Sequence, residues 1–185
     1  RAMIGNGQTA ALVAVDGAID WLCMPRFDSP SVFARVLDAK RGGAMAVRPV
    51  RRPFESLQRY DSDTNVLETL FTFDGGALRV VDFMPWSDDP RAAIHEIHRR
   101  IDCPSGSAPL EIVFDPRFDY ARDVPRIHVT EAGAMAEGKK RERLALSLSR
   151  PLDFVQLPDG GIRATMTLRP GEHLWCVLAW DGQGI

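Results

Sequence analysis

The feature that most constrains this chain is a two-residue alternation of apolar side chains, broken at short intervals by Asp-Gly and Gly-Gly pairs. Alternation of period two puts apolar groups on one face of an extended strand. A glycine in the connecting pair supplies the positive φ that a tight hairpin needs. Residues 65–73 and 78–84 flank a turn at Gly75-Gly76. Their register predicts Phe73 opposite Leu78, Phe71 opposite Val80 and Leu67 opposite Met84 on one face, with Thr72 opposite Arg79 on the other. Cross-strand partners of this kind do not fit a helix.

Residues 9–15 and 18–24 flank Asp16-Gly17, the pair favoured in a two-residue type I′ turn. That turn sets Ala14 against Ile19, Leu12 against Trp21 and Ala10 against Cys23, an apolar face predicted to be buried. Val13 then faces Asp20 and Ala11 faces Leu22, on a side predicted to meet water or a partner. Further strands are expected over 93–101, 110–114, 126–130, 144–148, 161–168 and 174–180. The charged run 137–143 reads as a loop or hairpin end, and Pro158-Asp159-Gly160-Gly161 as a turn. One short helix is predicted near residues 30–38. Ser29 suits its N-cap, Pro30 its first position, and Phe33, Val36 and Leu37 its apolar stripe, with Gly42-Gly43 beyond its end. The expected fold is all-β: a large antiparallel β-sandwich in one domain over residues 1–185.

A chain of 185 residues buries about 70% of its unfolded surface and needs neither disulfide nor metal to fold. Its three cysteines, Cys23, Cys103 and Cys176, are too scattered for a disulfide framework. With no signal-like apolar segment at the start, they suggest a cytoplasmic location. A net charge of −2 gives no reason to expect a nucleic-acid or membrane partner, and no apolar run approaches a membrane span.

Motifs that carry chemistry are mostly excluded by context. Gly5-Asn6-Gly7-Gln8-Thr9-Ala10 matches a loose dinucleotide pattern, but a hairpin follows it where a helix N-terminus is required. A turn is the better reading. In a strand, His95 and His98 point to opposite faces and cannot share a metal. No metal site and no cofactor are predicted. Asp28 lies beside Arg26, and Asp119 lies near Arg117 and Arg122. A neighbouring guanidinium depresses a carboxyl pKa, which is wrong for the general acid of a glycosidase. No catalytic residue is assigned. Trp21 reads as core. Trp175 and Trp180 point to opposite faces, so at most one is core. The tetrapeptide Pro-Arg-Phe-Asp occurs at 25–28 and again at 116–119. Phe27, Phe118 and Tyr120 lie in these Arg/Asp-rich segments and read as interface residues.

The stretch from Ile4-Gly5-Asn6-Gly7-Gln8-Thr9 through Asp16-Gly17-Ala18-Ile19-Asp20-Trp21 to Pro25-Arg26-Phe27-Asp28-Ser29-Pro30 resembles the start of the family-fifteen glycoside hydrolases. These include glucoamylases, glucodextranases and trehalases. The resemblance continues in Thr64-Asn65-Val66-Leu67-Glu68-Thr69, Asp82-Phe83-Met84-Pro85 and Pro116-Arg117-Phe118-Asp119-Tyr120. It implies an N-terminal β-sandwich followed by an (α/α)6 barrel that holds two catalytic glutamates and hydrolyses an α-linked glucoside with inversion. This chain contains no run of amphipathic helices, so the resemblance transfers no catalytic residue to it. The implied partner is the barrel of the same polypeptide. Arg26, Phe27, Asp28, Arg117, Phe118, Asp119 and Tyr120 are the candidates for the interface or the sugar-pocket rim. A self-contained Arg26–Asp28 pair is the competing reading of the first loop.

Three functions compete: an interaction domain of a glycoside hydrolase, an autonomous carbohydrate-binding module, and a small independent enzyme. No motif supports the last. A carbohydrate-binding module should expose a row of aromatics on one sheet face. Only 8% of the chain is aromatic and most of those residues are claimed by apolar strand faces, which favours the first function.

Overall fold

The computed structural model describes residues 1–89 and 94–180. Among these residues sixteen strands form two antiparallel sheets. The first sheet contains β1 (Ala2–Gly5), β2 (Ala10–Val13), β3 (Ala18–Cys23), β5 (Ala44–Pro49), β10 (Ala108–Asp115), β15 (Ile162–Leu168) and β14 (Val155–Gln156) in that spatial order, with β4 (Ser31–Phe33) paired to β3. The second runs β11 (Arg126–Thr130), β12 (Gly133–Glu137), β13 (Arg143–Leu148), β16 (His173–Trp180), β9 (Glu96–Gly106), β8 (Gly76–Phe83), β7 (Leu67–Phe73) and β6 (Phe54–Tyr60). The β-sandwich expected from the alternation is the fold. All six further strands predicted lie in it, although Ala93 falls outside the described residues.

One apolar core fills the space between the sheets. Leu22, Phe33 and Phe114 of the first sheet meet Leu67, Phe71, Ile97 and Leu178 of the second, all fully buried. A charged group sits inside this core. Arg99 on β9 and Asp82 on β8 are both inaccessible to solvent and form a bidentate pair at 2.7 and 3.0 Å. The same guanidinium donates across the sandwich to the Gly17 carbonyl at 2.9 Å and the Met45 carbonyl at 3.4 Å. Burying an ion pair is costly unless its remaining donors are satisfied. Here the opposite sheet supplies those acceptors, so the pair also cross-links the two layers.

Both predicted hairpins form, each with a corrected register. In the first, Ala14 N–H donates to Ala18 O at 2.8 Å, so the loop is the three residues Val15-Asp16-Gly17. Gly17 takes φ +80°, and a Cβ there would lie 2.1 Å from the Val47 carbonyl oxygen. Leu12 faces Trp21 and Ala11 faces Leu22 as expected, but Val13 faces Ile19, leaving Asp20 in a bulge. Removing Asp20 from the ladder makes the Ala11, Val13, Ile19 and Leu22 set the buried face. The predicted burial of the Leu12–Trp21 face is therefore reversed, and both are only half-buried. In the second hairpin the turn is Asp74-Gly75, and Phe71 faces Leu78 while Leu67 faces Asp82. That slip is two residues, so the predicted inner face is preserved.

The helix predicted near residues 30–38 is absent. Ser31–Phe33 is strand β4, and residues 35–38 form a turn closed by Leu37 N–H to Ala34 O at 2.9 Å. Phe33 is needed in the core, and pairing with β3 buries it, whereas Leu37 is left 69% exposed. The one helical segment among the described residues is Phe118–Ala121, and it winds left-handed at Asp119 and Tyr120.

Candidate functional site at the loop end of the sandwich

Antiparallel registers gather one set of loops at the end of the sandwich where β16 finishes. Gly5 faces Ala10, Asp115 faces Ala44, Phe114 faces Ile162 and Leu144 faces Trp180. The loops 6–9, 24–30, 116–122, 138–142 and 157–161 therefore share this end. Hydrogen bonds tie them together: Phe27 N–H to Gln8 O at 3.1 Å, Arg117 N–H to Val32 O at 2.9 Å, and Lys139 N–H to Asp123 Oδ2 at 2.8 Å. Asn6 closes the Gly-rich segment as a turn, accepting from Gln8 and Thr9 N–H at 3.1 Å each. Its amide donates to the Ile94 carbonyl at 3.1 Å. The Gly-rich segment is thus a turn that braces the two sheets.

The two Pro-Arg-Phe-Asp copies have opposite fates. Arg26 and Asp28 form an exposed bidentate pair at 2.9 and 2.5 Å, which closes the loop with help from Ser29 Oγ. Phe27 is left outside that closure, 66% exposed. In the second copy Arg117 and Phe118 are 5% and 2% exposed, so they leave the list of surface candidates. Arg117 lies 2.8 Å from Asp115 and donates to Asp159 O at 2.6 Å, pinning two loops. Phe118 packs edge-on to Trp180 at 6.0 Å, and Trp180 is the member of the Trp175/Trp180 pair that packs against the core. Asp119 approaches Arg122 at 3.6 Å.

Asp119, Tyr120 and Ala121 take φ of 51°, 56° and 64° in succession. A left-handed non-glycine residue costs about 1–2 kcal/mol, so such a run persists only where its surroundings impose it. Here Phe118 and Asp123 exchange backbone hydrogen bonds at 2.8 and 3.0 Å and close the loop behind it. The result is a projecting Tyr120, 43% exposed, backed by Trp21 at 6.3 Å and by the Arg122 guanidinium at 5.8 Å. Between the two Pro-Arg-Phe-Asp segments lies a cleft of about 120 Å³, walled by Pro25, Pro30, Phe118, Asp119, Glu142 and Trp180.

Two carboxylates at this end are held in opposite ways. The Arg26 hydrogen bonds hold Asp28 below the usual carboxylate range. Burial pushes Asp115 up against the opposing charge of Arg117, but its carboxylate is packed in a wall. A Cβ on Gly161 would lie 2.8 Å from the Asp115 Cβ and 2.9 Å from its Oδ1, so the glycine lets the loop close over this side chain. Among the described residues no group of three His, Cys, Asp or Glu side chains is placed to hold a metal ion.

Residues 1–154 match the family model described as trehalase-like, N-terminal. The chain belongs to that family. It is 38% identical over 179 residues to a trehalase of Thermoplasma volcanium, covering 96% of this chain and 28% of the relative. A trehalase of Thermoplasma acidophilum is 37% identical over 91% of the chain, and one of Mycobacterium tuberculosis 28% identical over 97%. The chain spans less than a third of the length of these curated relatives. The trehalase-like N-terminal domain thus has two parts that sequence reading separated poorly. Arg26, Phe27, Asp28, Asp119 and Tyr120 reach its surface, while Arg117 and Phe118 build the support beneath. The buried Arg99–Asp82 pair was missed altogether. Its only signal was an arginine at an inward-facing position of the alternation, opposite an aspartate.

Proposed function

We propose that this domain is a non-catalytic part of a trehalase-like glycoside hydrolase, packing its loop end against an (α/α)6 catalytic barrel of the same polypeptide. The rim formed by Phe27 and Tyr120 borders the pocket in which an α-linked glucoside is hydrolysed with inversion. Trehalose is the first substrate to test, because that is the activity the relatives' names carry. The observation that carries the reading is the pair of projecting rings, Phe27 and Tyr120, held by closed loops at the end where Trp180 also lies. Rigid exposed aromatics are typical anchors of a protein interface. The Arg26–Asp28 pair is a solvent-exposed ion pair and adds little stability, so local stability alone gives little reason for the ring beside it. A cytoplasmic location is proposed from the three unpaired, buried thiols.

The test uses the full-length enzyme. Phe27→Ala and Tyr120→Ala should each lower kcat/KM for trehalose about tenfold or more, a loss of about 1.4 kcal/mol in transition-state stabilisation. The denaturation midpoint of the isolated domain should stay nearly unchanged. The isolated domain itself should release no glucose from trehalose, maltose or dextran. Wild-type kinetics in both variants would remove the rim from the substrate pocket.

A further inference from the structure

The outer face of the second sheet carries an aromatic row. Phe83 on β8, His98 on β9 and Trp175 on β16 point to the same side, where the register sets Phe83 opposite His98 and His98 opposite Val177. The His98 ring stacks on Phe83 at 5.2 Å and 28°, and Trp175 stands edge-on to both at 6.3 and 6.5 Å. Glu96 anchors the imidazole at 2.7 Å. Beside the row lie strand residues of β13 and β16 and the turn between β11 and β12. Ser147, Val177 and Ala132 floor a depression of about 410 Å³, walled by Trp175, His98, Leu148 and Ser149.

From this we infer that the outer face of the second sheet binds a neutral pyranoside, with the sugar's C–H face against Trp175 and its hydroxyls on Ser147 and Ser149. Three features favour a sugar over a purely apolar occupant. The indole is held by ring contacts on one side and by its backbone on the other, because Trp175 N–H donates to Ser149 Oγ at 3.0 Å. That bond uses the Ser149 oxygen as acceptor and leaves its O–H free to donate outward. The Ser147 hydroxyl has no hydrogen bond to any described side chain or backbone group, so it too offers a donor and an acceptor. A rigid ring bordered by two hydroxyls with O–H donors to spare, in a depression at the small end of the ligand-site range, matches a mono- or disaccharide. The site is on a sheet face, apart from the loop end that meets the barrel in the proposed function. It stands or falls independently of that reading.

The experiment is a titration of the 185-residue chain with maltose, trehalose and cellobiose, followed by amide and indole NMR. Binding in the millimolar range should shift the Trp175 indole and the Ser147 and Ser149 amides. Trp175→Ala should weaken it at least tenfold. Ser147→Leu fills the depression from its floor, leaves the core untouched, and should abolish binding while the denaturation midpoint holds. Three results overturn the inference: no saturable shift with any sugar, shifts confined to the loop end, or binding of an apolar dye at Trp175 that sugars do not displace.

Discussion

Arg99 shows how far one residue's role depends on where its hydrogens go. An arginine in a β-sandwich core is a liability unless its donors find acceptors, and here four hydrogen bonds reach Asp82 and carbonyls of the facing sheet. Arg99→Met should destabilise the domain by about 3–5 kcal/mol, because it strands a buried carboxylate. The double variant Arg99→Met/Asp82→Leu should recover much of that loss, as read from urea midpoints. A double variant as unstable as the single one would show that the pair's geometry, and not the orphaned charge, sets the cost. Gly17 obeys a simpler constraint. With φ +80° and the Val47 carbonyl 2.1 Å from any Cβ, Gly17→Val should cost more than about 2 kcal/mol in the same assay. Asp16, beside it, has an acid dependence. Burial pushes its pKa up, but hydrogen bonds and charge from Arg35, the Ala18 N–H and the charge of Arg48 outweigh burial and hold it below normal. A carboxyl with a depressed folded pKa contributes stability above its unfolded pKa and loses it as pH falls through the folded value. Asp16→Asn should therefore lower stability at neutral pH, change little at pH below the folded pKa, and so flatten the acid limb of the stability profile.

At the scale of elements, turn chemistry was legible and turn length was not. Asp16-Gly17 and the 74–76 segment both mark real hairpins, yet the first loop is one residue longer than a type I′ turn and the second turn sits one residue earlier. A bulge at Asp20 is invisible to alternation, because its cause is the ionic neighbourhood around that side chain: Arg1 at 2.8 Å and Arg35 at 3.7 Å. The predicted helix failed for a similar reason. Ser29-Pro30 is a sound local start signal, but Ser29 Oγ accepts from Arg26 N–H and the following residues find more burial as a strand. The left-handed run at 119–121 had no glycine or asparagine to announce it. It yields a measurable expectation. Ala121→Gly removes about 1–2 kcal/mol of αL strain and costs about 0.5–1 kcal/mol in unfolded-chain entropy, so the net effect should be stabilising by about 1 kcal/mol or less. A destabilised variant would show that the Ala121 methyl packs better than its backbone is strained.

At the scale of the whole molecule, the main core among the described residues is shared by both sheets and tied by Arg99, so the sheets should not unfold separately. Tryptophan fluorescence and far-UV circular dichroism should report coincident denaturant transitions, whereas two separated transitions would show that the layers are independent units. By itself the sequence determined the strand content, the sandwich class and the places of the hairpin turns. Each follows from local rules: side-chain period and turn residues. Tertiary structure alone decided which of two identical Pro-Arg-Phe-Asp segments is buried, because that depends on the neighbours each loop meets across the sandwich end. It also decided that Phe83, His98 and Trp175, 92 residues apart at the extremes, form one row. Alternation says which side of its own strand a residue occupies. Only strand order and register say who stands beside it.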